Sequence, residues 1–313
     1  MQSCIFTLIS FREMKELHMD KIVISCLSLA LLIGANFAVA QSIDTGRGEL
    51  SLTVPAGYEA STPAPLVLLL HGYGRNAGAE QDAYMKFGAL ANNYGFLFAA
   101  PNGQRETEGN QAWFWNASDA CCNFQGSQIS DVDYLMTIIS NIKSQYNVDG
   151  NRVYLIGHSN GGFMAYRAAY ENSQAIAAVA SLTGAGATVA GPAPLNPVHI
   201  LHIHGTDDNA IAYEGGDLRG NSYPSAVETV ERWAGYNGCD IDGSEVAQLD
   251  LDRNLPGLDS IVVRYDNSCR AGGSAELWTI TDGAHIPALS DSFSTTVVEW
   301  LMAHPKIGSS FTD

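Results

Sequence analysis

The chain has 313 residues, of which 46% are hydrophobic and 16% are charged, and its formal net charge is −17 at pH 7. A chain of this size can bury a full core without disulfide or metal support, and it suits one large globular domain or two small ones. So strong a negative charge repels nucleic acid and anionic membranes, which argues against a nucleic-acid-binding function.

Residues 1–40 have the pattern of an upstream extension followed by a secretory leader. A short charged segment at Met19 precedes an apolar run over 22–37, and small residues close the run at Ala40, as in a cleavable signal. About 16 apolar residues are few for a membrane span. We therefore expect translation to start at Met19, cleavage near Ala40, and export of 41–313 without a stable membrane anchor.

Strand and helix patterns alternate along 41–313. The predicted strands are Leu50–Val54, which alternates like an edge strand, then Leu66–Leu70, Phe96–Ala99, Val153–Ile156, Ala177–Ser181, His199–His204, Ile261–Tyr265 and Glu276–Thr281. The predicted helices are Gln81–Asn93, Asp131–Gln145, Gly161–Glu171, Ala226–Tyr236 and Ser294–Ala303. Between these, 238–260 is polar and rich in turn residues. This alternation predicts a single α/β domain, in which helices cover both faces of a mostly parallel sheet.

The stretch from 152 to 164 predicts a strand, a sharp turn and a helix in immediate succession. The turn is Gly157-His158-Ser159-Asn160-Gly161, and its two glycines leave room where side chains would collide. The Ser159 hydroxyl then projects at a helix N-terminus, where free N–H groups favour negative charge. We interpret Ser159 as the nucleophile of an acyl-transfer site; the alternative is a glycine-rich turn that only ends a strand.

Ligands of open α/β sheets bind beyond the carboxyl ends of the strands, so residues that follow strands are the candidate partners of Ser159. His71-Gly72-Tyr73-Gly74 follows the strand at 66–70. In a serine esterase this loop and the residue after the nucleophile supply the two oxyanion donors. The predicted oxyanion hole therefore consists of the backbone N–H groups of Tyr73 and Asn160.

Two further strand ends supply an acid and a base. Asp207 and Asp208 follow the strand that begins at His199, and we favour Asp208 as the carboxylate that orients a catalytic imidazole, with Asp207 as a loop cap. His285 lies in the polar loop after the last strand. The resulting chain order of serine, aspartate and histidine is that of an α/β-hydrolase.

Two motifs raise the question of a metal. His199, His202 and His204 share a strand, but no further ligand with suitable spacing is evident. Residues 250–254, with Asp259 beyond, faintly resemble a calcium loop, yet they lack its glycine and its terminal glutamate and predict a solvated hairpin instead. We expect neither a metal nor a cofactor.

The loop from Asn102 to Ser130 is too long to be a mere connection. It carries Trp113 and Trp115, whose rings would either wall an apolar substrate pocket or pack beneath the loop as part of the core. The sequence leaves these two alternatives equal.

Four cysteines lie in 41–313, and four cysteines allow three disulfide connectivities. A bond between Cys239 and Cys269 would close a 31-residue loop and stabilise the fold by about 3 kcal/mol. The adjacent Cys121 and Cys122 would then form a vicinal bridge or stay reduced. Zinc is disfavoured because no Cys-x-x-Cys motif is present.

These motifs together resemble the polyhydroxybutyrate depolymerase family of esterases, which shades into bacterial feruloyl and acetyl xylan esterases. The resemblance is carried by His71-Gly72, Gly157-His158-Ser159-Asn160-Gly161-Gly162, His204-Gly205-Thr206-Asp207-Asp208 and Gly283-Ala284-His285. It implies a secreted serine esterase of α/β-hydrolase fold, with a Ser-Asp-His triad and a disulfide near the C-terminal strands. Ala212 stands where relatives often have proline, and a tryptophan common after the histidine is missing, so the implied pocket shape departs from the family.

The resemblance makes a short-chain polyhydroxyalkanoate the first candidate substrate. Feruloyl or acetyl esters of plant polysaccharide are the alternative within the same enzyme class. A non-catalytic binding protein on a hydrolase scaffold is a distant third, which the complete triad disfavours. A peptidase is disfavoured because the chain is too short to hold the gating domain that such enzymes usually carry.

Overall fold

A computed structural model describes residues 39–307, and a large sheet forms its centre. The strands are β1 (Val39–Asp44), β2 (Glu49–Val54), β3 (Ala64–Leu70), β4 (Leu97–Ala99), β5 (Gln104–Arg105), β6 (Trp113–Phe114), β7 (Val148–His158), β8 (Ala178–Leu182), β9 (His199–Gly205), β10 (Gly216–Leu218), β11 (Asn221–Tyr223), β12 (Ser244–Leu249), β13 (Ser260–Tyr265) and β14 (Ala275–Ile280). The leader predicted over residues 1–40 lies outside the described residues except for Val39 and Ala40, which begin β1.

Ten of these strands form one sheet in the order β1-β2-β4-β3-β7-β8-β9-β14-β13-β12. The six central strands from β4 to β14 are parallel, whereas β1, β2, β13 and β12 pair antiparallel at the two edges. The small hairpins β5-β6 and β10-β11 stand apart from this sheet. The predicted α/β class with a mostly parallel sheet is confirmed.

Helices cover both faces of the sheet. They are α1 (Ala77–Glu80), α2 (Ala91–Tyr94), α3 (Asp131–Gln145), α4 (Asn160–Glu171), α5 (Ala226–Tyr236) and α6 (Phe293–Ala303). Successive side chains of a strand point to opposite faces, so Leu66 and Leu68 of β3 pack in the core with α3, α4 and α5, whereas Val67 and Leu69 pack in the core with α6. None of the helices within 39–307 has the length and apolar character needed to cross a bilayer.

One predicted helix is broken in the structure. Over 81–93 the chain forms a π turn (Gln81–Met85), a 3₁₀ turn (Phe87–Leu90) and then α2. Lys86 adopts a left-handed conformation with φ of 55°, which ends the first turn because the right-handed helix cannot continue through it. The helical spacing of apolar residues over 81–93 did not indicate that Lys86 would leave the right-handed conformation.

The edges of the sheet also differ from the prediction. The strand at 50–54 is not an edge strand, because β1 pairs outside it, and β12 runs through 244–249, where the sequence indicates only turns. All but the last residue of β12 is exposed, so this strand lacks the buried face that would have produced an alternating pattern. Instead of a solvated hairpin, Asp252 and Asp259 are buried, and Asp259 accepts hydrogen bonds from the backbone of Leu251 and Asp252.

Candidate active site

Three parallel strands end at one edge of the sheet, and each is followed by one of the predicted triad residues. Ser159 directly follows β7, Asp208 is the third residue after β9, and His285 lies in the loop after β14. The topology therefore brings these loops together although the residues are far apart in the chain, because the carboxyl ends of neighbouring parallel strands share an edge.

The sharp turn predicted at Ser159 is present, and its backbone is strained. Ser159 has φ of 52° and ψ of −120°, a conformation that costs a non-glycine residue free energy. A Cβ atom on Gly157 would lie 2.1 Å from the Gly161 carbonyl oxygen, and one on Gly161 would lie 2.1 Å from that of Leu70. Both glycines are therefore required, since backbone atoms occupy the space of any side chain.

The three predicted residues form a continuous hydrogen-bonded relay. His285 Nε2 lies 3.0 Å from Ser159 Oγ, and His285 Nδ1 lies 2.7 Å from Asp208 Oδ2. The Asp208 side chain is fully buried, whereas the His285 side chain keeps 17% of its surface exposed. An imidazole between a hydroxyl and a buried carboxylate is able to accept the hydroxyl proton and remain oriented afterwards.

Asp208 is held as a charged group by several donors. Its Oδ1 accepts hydrogen bonds of 2.8 Å from the backbone N–H groups of Ala210 and Ile211, and its Oδ2 also lies 3.2 Å from His204 Nε2. Burial alone would raise the pKa of Asp208, but the hydrogen bonds from His204, His285 and the backbone outweigh burial and hold this pKa well below its usual value.

The loop-cap assignment needs a correction. Asp208 itself caps this loop through Ala210 and Ile211. Asp207 is exposed, and within residues 39–307 its carboxylate accepts no hydrogen bond. Asp208 both caps the loop and contacts His285, because its side chain points inward from a tight turn, whereas the Asp207 side chain points to solvent.

The two predicted oxyanion donors are Asn160, in the turn at Ser159, and Tyr73, on the loop that follows β3. A Cβ on Gly72 would lie 3.4 Å from Ser159 Cβ, so the loop that carries Tyr73 packs directly against the turn. Within residues 39–307, neither the Tyr73 nor the Asn160 N–H donates a backbone hydrogen bond in a turn, loop or cap. The Asn160 N–H at the N-terminus of α4 and the Tyr73 N–H on the adjacent loop are thus able to stabilise a developing negative charge.

The Tyr73 side chain belongs to a small aromatic group at this loop. Its hydroxyl donates a 2.8 Å hydrogen bond to Glu106, and burial together with this bond raises the pKa of Tyr73 to about 12. The Phe124 ring meets the Tyr73 ring edge-on at 5.3 Å, and the Arg219 guanidinium lies 3.9 Å above the Phe124 ring. The sequence did not indicate Phe124 or Arg219, because they come from the loop before α3 and from the tip of the β10-β11 hairpin.

The structure separates the two tryptophans of the long loop. Trp115 is fully buried, and its indole N–H donates to the His71 carbonyl oxygen. The alternative that its ring walls a substrate pocket is therefore wrong, and Trp115 belongs to the core. Trp113 is half-buried, the Arg105 guanidinium lies 5.1 Å above its ring, and its carbonyl oxygen accepts a hydrogen bond from Gly74 N–H. The Asn160 side chain bonds both backbone groups of Trp115, which fixes the long loop to the turn.

The three strand histidines are bonded to protein groups. His202 Nδ1 lies 2.7 Å from the Tyr166 hydroxyl, and His202 Nε2 lies 3.0 Å from His204 Nδ1. His199 Nδ1 lies 2.7 Å from Ser274 Oγ. In the part of the chain that the structure describes, no group of three or more histidine, cysteine, aspartate or glutamate side chains is arranged to hold a metal ion.

Both disulfide pairs are present. Cys239, just beyond α5, is bonded to Cys269, which follows β13, as expected. Cys121 and Cys122 are also bonded to each other, which resolves the alternative that the sequence left open.

A parallel sheet with helices on both faces and a serine, histidine and aspartate relay at its carboxyl edge define the α/β-hydrolase class. Residues 58–238 match the model of the Phospholipase/Carboxylesterase family. The match covers more than half of the chain, and the chain belongs to this family.

Three known proteins illustrate the relationship. Feruloyl esterase B of Piromyces equi is 28% identical over 240 residues, which are 74% of this chain and 41% of that protein. Poly(3-hydroxyalkanoate) depolymerase C of Paucimonas lemoignei is 29% identical over 160 residues, 50% of this chain and 37% of that protein. The chain thus spans less than half the length of these two curated relatives. The solved structure of an acetyl xylan esterase from Aspergillus awamori shares the fold, with a TM-score of 0.56 at 15% identity over 84% of this chain and 99% of that chain.

Proposed function

We propose that the protein is a serine carboxylesterase that acts by two-step acyl transfer. The observation that carries this proposal is the relay of Ser159, His285 and Asp208, with hydrogen-bond distances of 3.0 and 2.7 Å, beside two backbone amides. A nucleophile, an oriented base and an anion-binding site within one loop cluster are what acyl transfer requires.

In the first step Ser159 Oγ attacks the ester carbonyl carbon while its proton passes to His285 Nε2. The carbonyl oxygen becomes an oxyanion, which the N–H groups of Tyr73 and Asn160 stabilise. Asp208 stabilises the imidazolium, which then gives the proton to the leaving alcohol. A water molecule, deprotonated by His285, attacks the acyl group in the second step and restores the Ser159 hydroxyl.

The test is Ser159→Ala assayed with a p-nitrophenyl ester. Without its nucleophile the enzyme should lose turnover by about 10⁴-fold or more, while circular dichroism and thermal unfolding stay close to wild type. Ser144→Ala is the matched control, because Ser144 lies in the last turn of α3 and bonds only the Asn141 carbonyl. Turnover retained in Ser159→Ala would remove Ser159 from the mechanism.

For the substrate, we propose a feruloyl or acetyl ester of plant polysaccharide first and a short-chain polyhydroxyalkanoate second. The Piromyces feruloyl esterase matches 74% of this chain, whereas the depolymerase matches 50%. The aromatic edge formed by Tyr73 and Phe124 offers an apolar surface beside the oxyanion loop. Rates on methyl ferulate, acetylated xylan and polyhydroxybutyrate film, compared for one preparation, would decide the order.

We further propose that translation starts at Met19, that 19–40 directs export with cleavage near Ala40, and that 41–313 is the catalytic domain, active extracellularly or in a periplasm. The two disulfides support an oxidising compartment. Intact-mass measurement of the secreted protein tests this: a mass for 41–313 with two disulfides is expected, and a retained leader would contradict it.

A further inference from the structure

Glu80 is a buried carboxylate that the acyl-transfer steps do not use. Its side chain is fully buried at the end of α1. Glu80 Oε1 lies 2.9 Å from His158 Nδ1, and Glu80 Oε2 lies 2.8 Å from Arg75 Nε and 3.3 Å from the Gly72 N–H that donates to it. Burial raises the pKa of Glu80, but these contacts outweigh burial and lower it overall. The carboxylate therefore stays charged, and it lies between the side chains of Arg75 and His158.

The same pair reaches the catalytic histidine. His158 directly precedes Ser159, and its Nε2 lies 3.3 Å from the His285 carbonyl oxygen. The His158 and His285 rings lie 5.5 Å apart, centroid to centroid. From the same segment as Glu80, the Tyr84 hydroxyl donates a 3.1 Å hydrogen bond to the Pro287 carbonyl. Residues 80 to 84 thus hold both the loop of Gly72 and the loop of His285.

Both ring nitrogens of His158 face oxygen atoms. Nδ1 faces the Glu80 carboxylate and Nε2 faces the His285 carbonyl oxygen. The other titratable or charged groups around His158 are Arg75, Tyr84 and His285, with Asp208 beyond His285. Burial raises the pKa of Tyr84, so Tyr84 is neutral near pH 7, and the Glu80 carboxylate and the Arg75 guanidinium are the charged groups of this cluster.

We infer that Glu80 and His158 form a positioning pair that fixes the oxyanion loop and the catalytic-histidine loop to each other. Glu80 holds Gly72 and hence the adjacent Tyr73 N–H, while His158 holds the His285 backbone. Neither side chain contacts the substrate; both act through Tyr73 and His285. The catalytic part of this inference rests on the proposed esterase function.

The pair predicts an electrostatic effect beside a positioning effect. Glu80→Gln removes a negative charge near His285, so the pKa of the His285 imidazole should fall by about half a pH unit or more. His158→Gln breaks the contact between Glu80 and the His285 loop and should lower kcat because the two loops are no longer held together. A merely structural defect would not shift the His285 titration in the direction that the lost charge predicts.

The experiment combines an NMR titration of the His285 imidazole with the pH dependence of kcat/KM on a p-nitrophenyl ester. The control is Glu276→Gln, since Glu276 is also buried and paired, 2.8 Å from Arg264, but lies on β14 away from the turn. In the two pair variants we expect kcat to fall about tenfold or more with little change in KM. The control should lose stability and keep both kcat and the His285 titration.

Outcomes separate this inference from the proposed function. An unshifted His285 titration in Glu80→Gln overturns the pair whether or not the enzyme turns over esters, and so does an unchanged kcat in both variants of an active enzyme. A wild type without esterase activity whose Glu80→Gln variant still shows the shift overturns the function and keeps the pair. If Glu80→Gln does not fold, Glu80→Asp keeps the charge with a shorter reach; we then expect lower kcat with an unshifted titration, and unchanged kcat would count against the pair.

Discussion

Asp208 performs two tasks at the residue scale. It orients His285 through one oxygen and closes its own loop through the other, which accepts from Ala210 and Ile211. The backbone donors keep the carboxylate charged and fix its direction, so the imidazole is oriented before any substrate arrives. Such preorganisation removes the cost of reorienting groups during the reaction.

Asp208→Asn tests the orienting task. The amide would keep the size of the side chain but could not stabilise an imidazolium, and its NH₂ would favour the wrong tautomer of His285. We expect kcat to fall by about a thousandfold or more, measured with a p-nitrophenyl ester. Asp131→Asn is the matched control, because Asp131 is equally buried and pairs with Arg47, but it contacts no residue of the relay and should cost stability alone.

At the scale of elements, short connections hold the catalytic loops on the sheet. The strand β7, the turn at Ser159 and helix α4 follow one another without a spacer, so the proposed nucleophile has a rigid base. The C-terminal elements are held differently: α5 and the segment after β13 are joined by the bond between Cys239 and Cys269. This bond restricts the unfolded chain over the whole segment between them.

Removal of that disulfide should therefore cost more than removal of the vicinal one. The Cys239→Ala/Cys269→Ala variant opens a loop with a sequence separation of 30, and we expect it to lose about 3 kcal/mol of unfolding free energy. The Cys121→Ala/Cys122→Ala variant, with a separation of 1, closes no such loop and serves as control. Urea denaturation measures both, and equal losses would argue against the chain-entropy explanation.

For the whole molecule, acid should lower stability, because several histidines are buried with lowered pKa values. Burial lowers the pKa of His71 to about 4 and that of His199 to about 3, and it lowers the pKa of His202 well below its usual value. His71 accepts from Gly103 N–H at Nε2 and lies 2.8 Å from the Gly72 carbonyl at Nδ1. This environment satisfies only the neutral ring.

Stability should fall as the pH drops below about 6.5, the usual histidine pKa. In that range the unfolded chain binds protons that the folded protein refuses, so each buried histidine lowers the unfolding free energy by up to ~1.4 kcal/mol per pH unit until its folded pKa is reached. Urea denaturation at pH 7, 6, 5 and 4.5 measures the slope. His199→Asn should flatten it, and a stability that stays level between pH 6.5 and 5 would contradict the prediction.

The sequence by itself determined the class of fold and the members of the relay. Buried parallel strands are continuous apolar runs, and the turn at Ser159 needs glycines at two fixed positions, so both leave local patterns. The loop after β9 contains two candidate carboxylates, Asp207 and Asp208, and the loop after β14 contains one histidine, His285. Few residues could therefore complete the relay with Ser159. These features depend on residues that are close together in the chain, and a sequence pattern can indicate interactions only between such residues.

Only the tertiary structure decided which side chains meet across the chain. The contact of Glu80 with His158 joins residues on separate elements, and neither position has a local pattern that indicates it. Trp115 is held by hydrogen bonds between its backbone and the Asn160 side chain, and the turn that ends at Lys86 is bonded to α6 through Ser294 and the Met85 carbonyl. The strand β12 is exposed, so its sequence lacks the alternation of apolar and polar residues that would have predicted a strand. In each case the deciding interaction is long-range, because burial and charge pairing depend on distance in space and not on distance along the sequence.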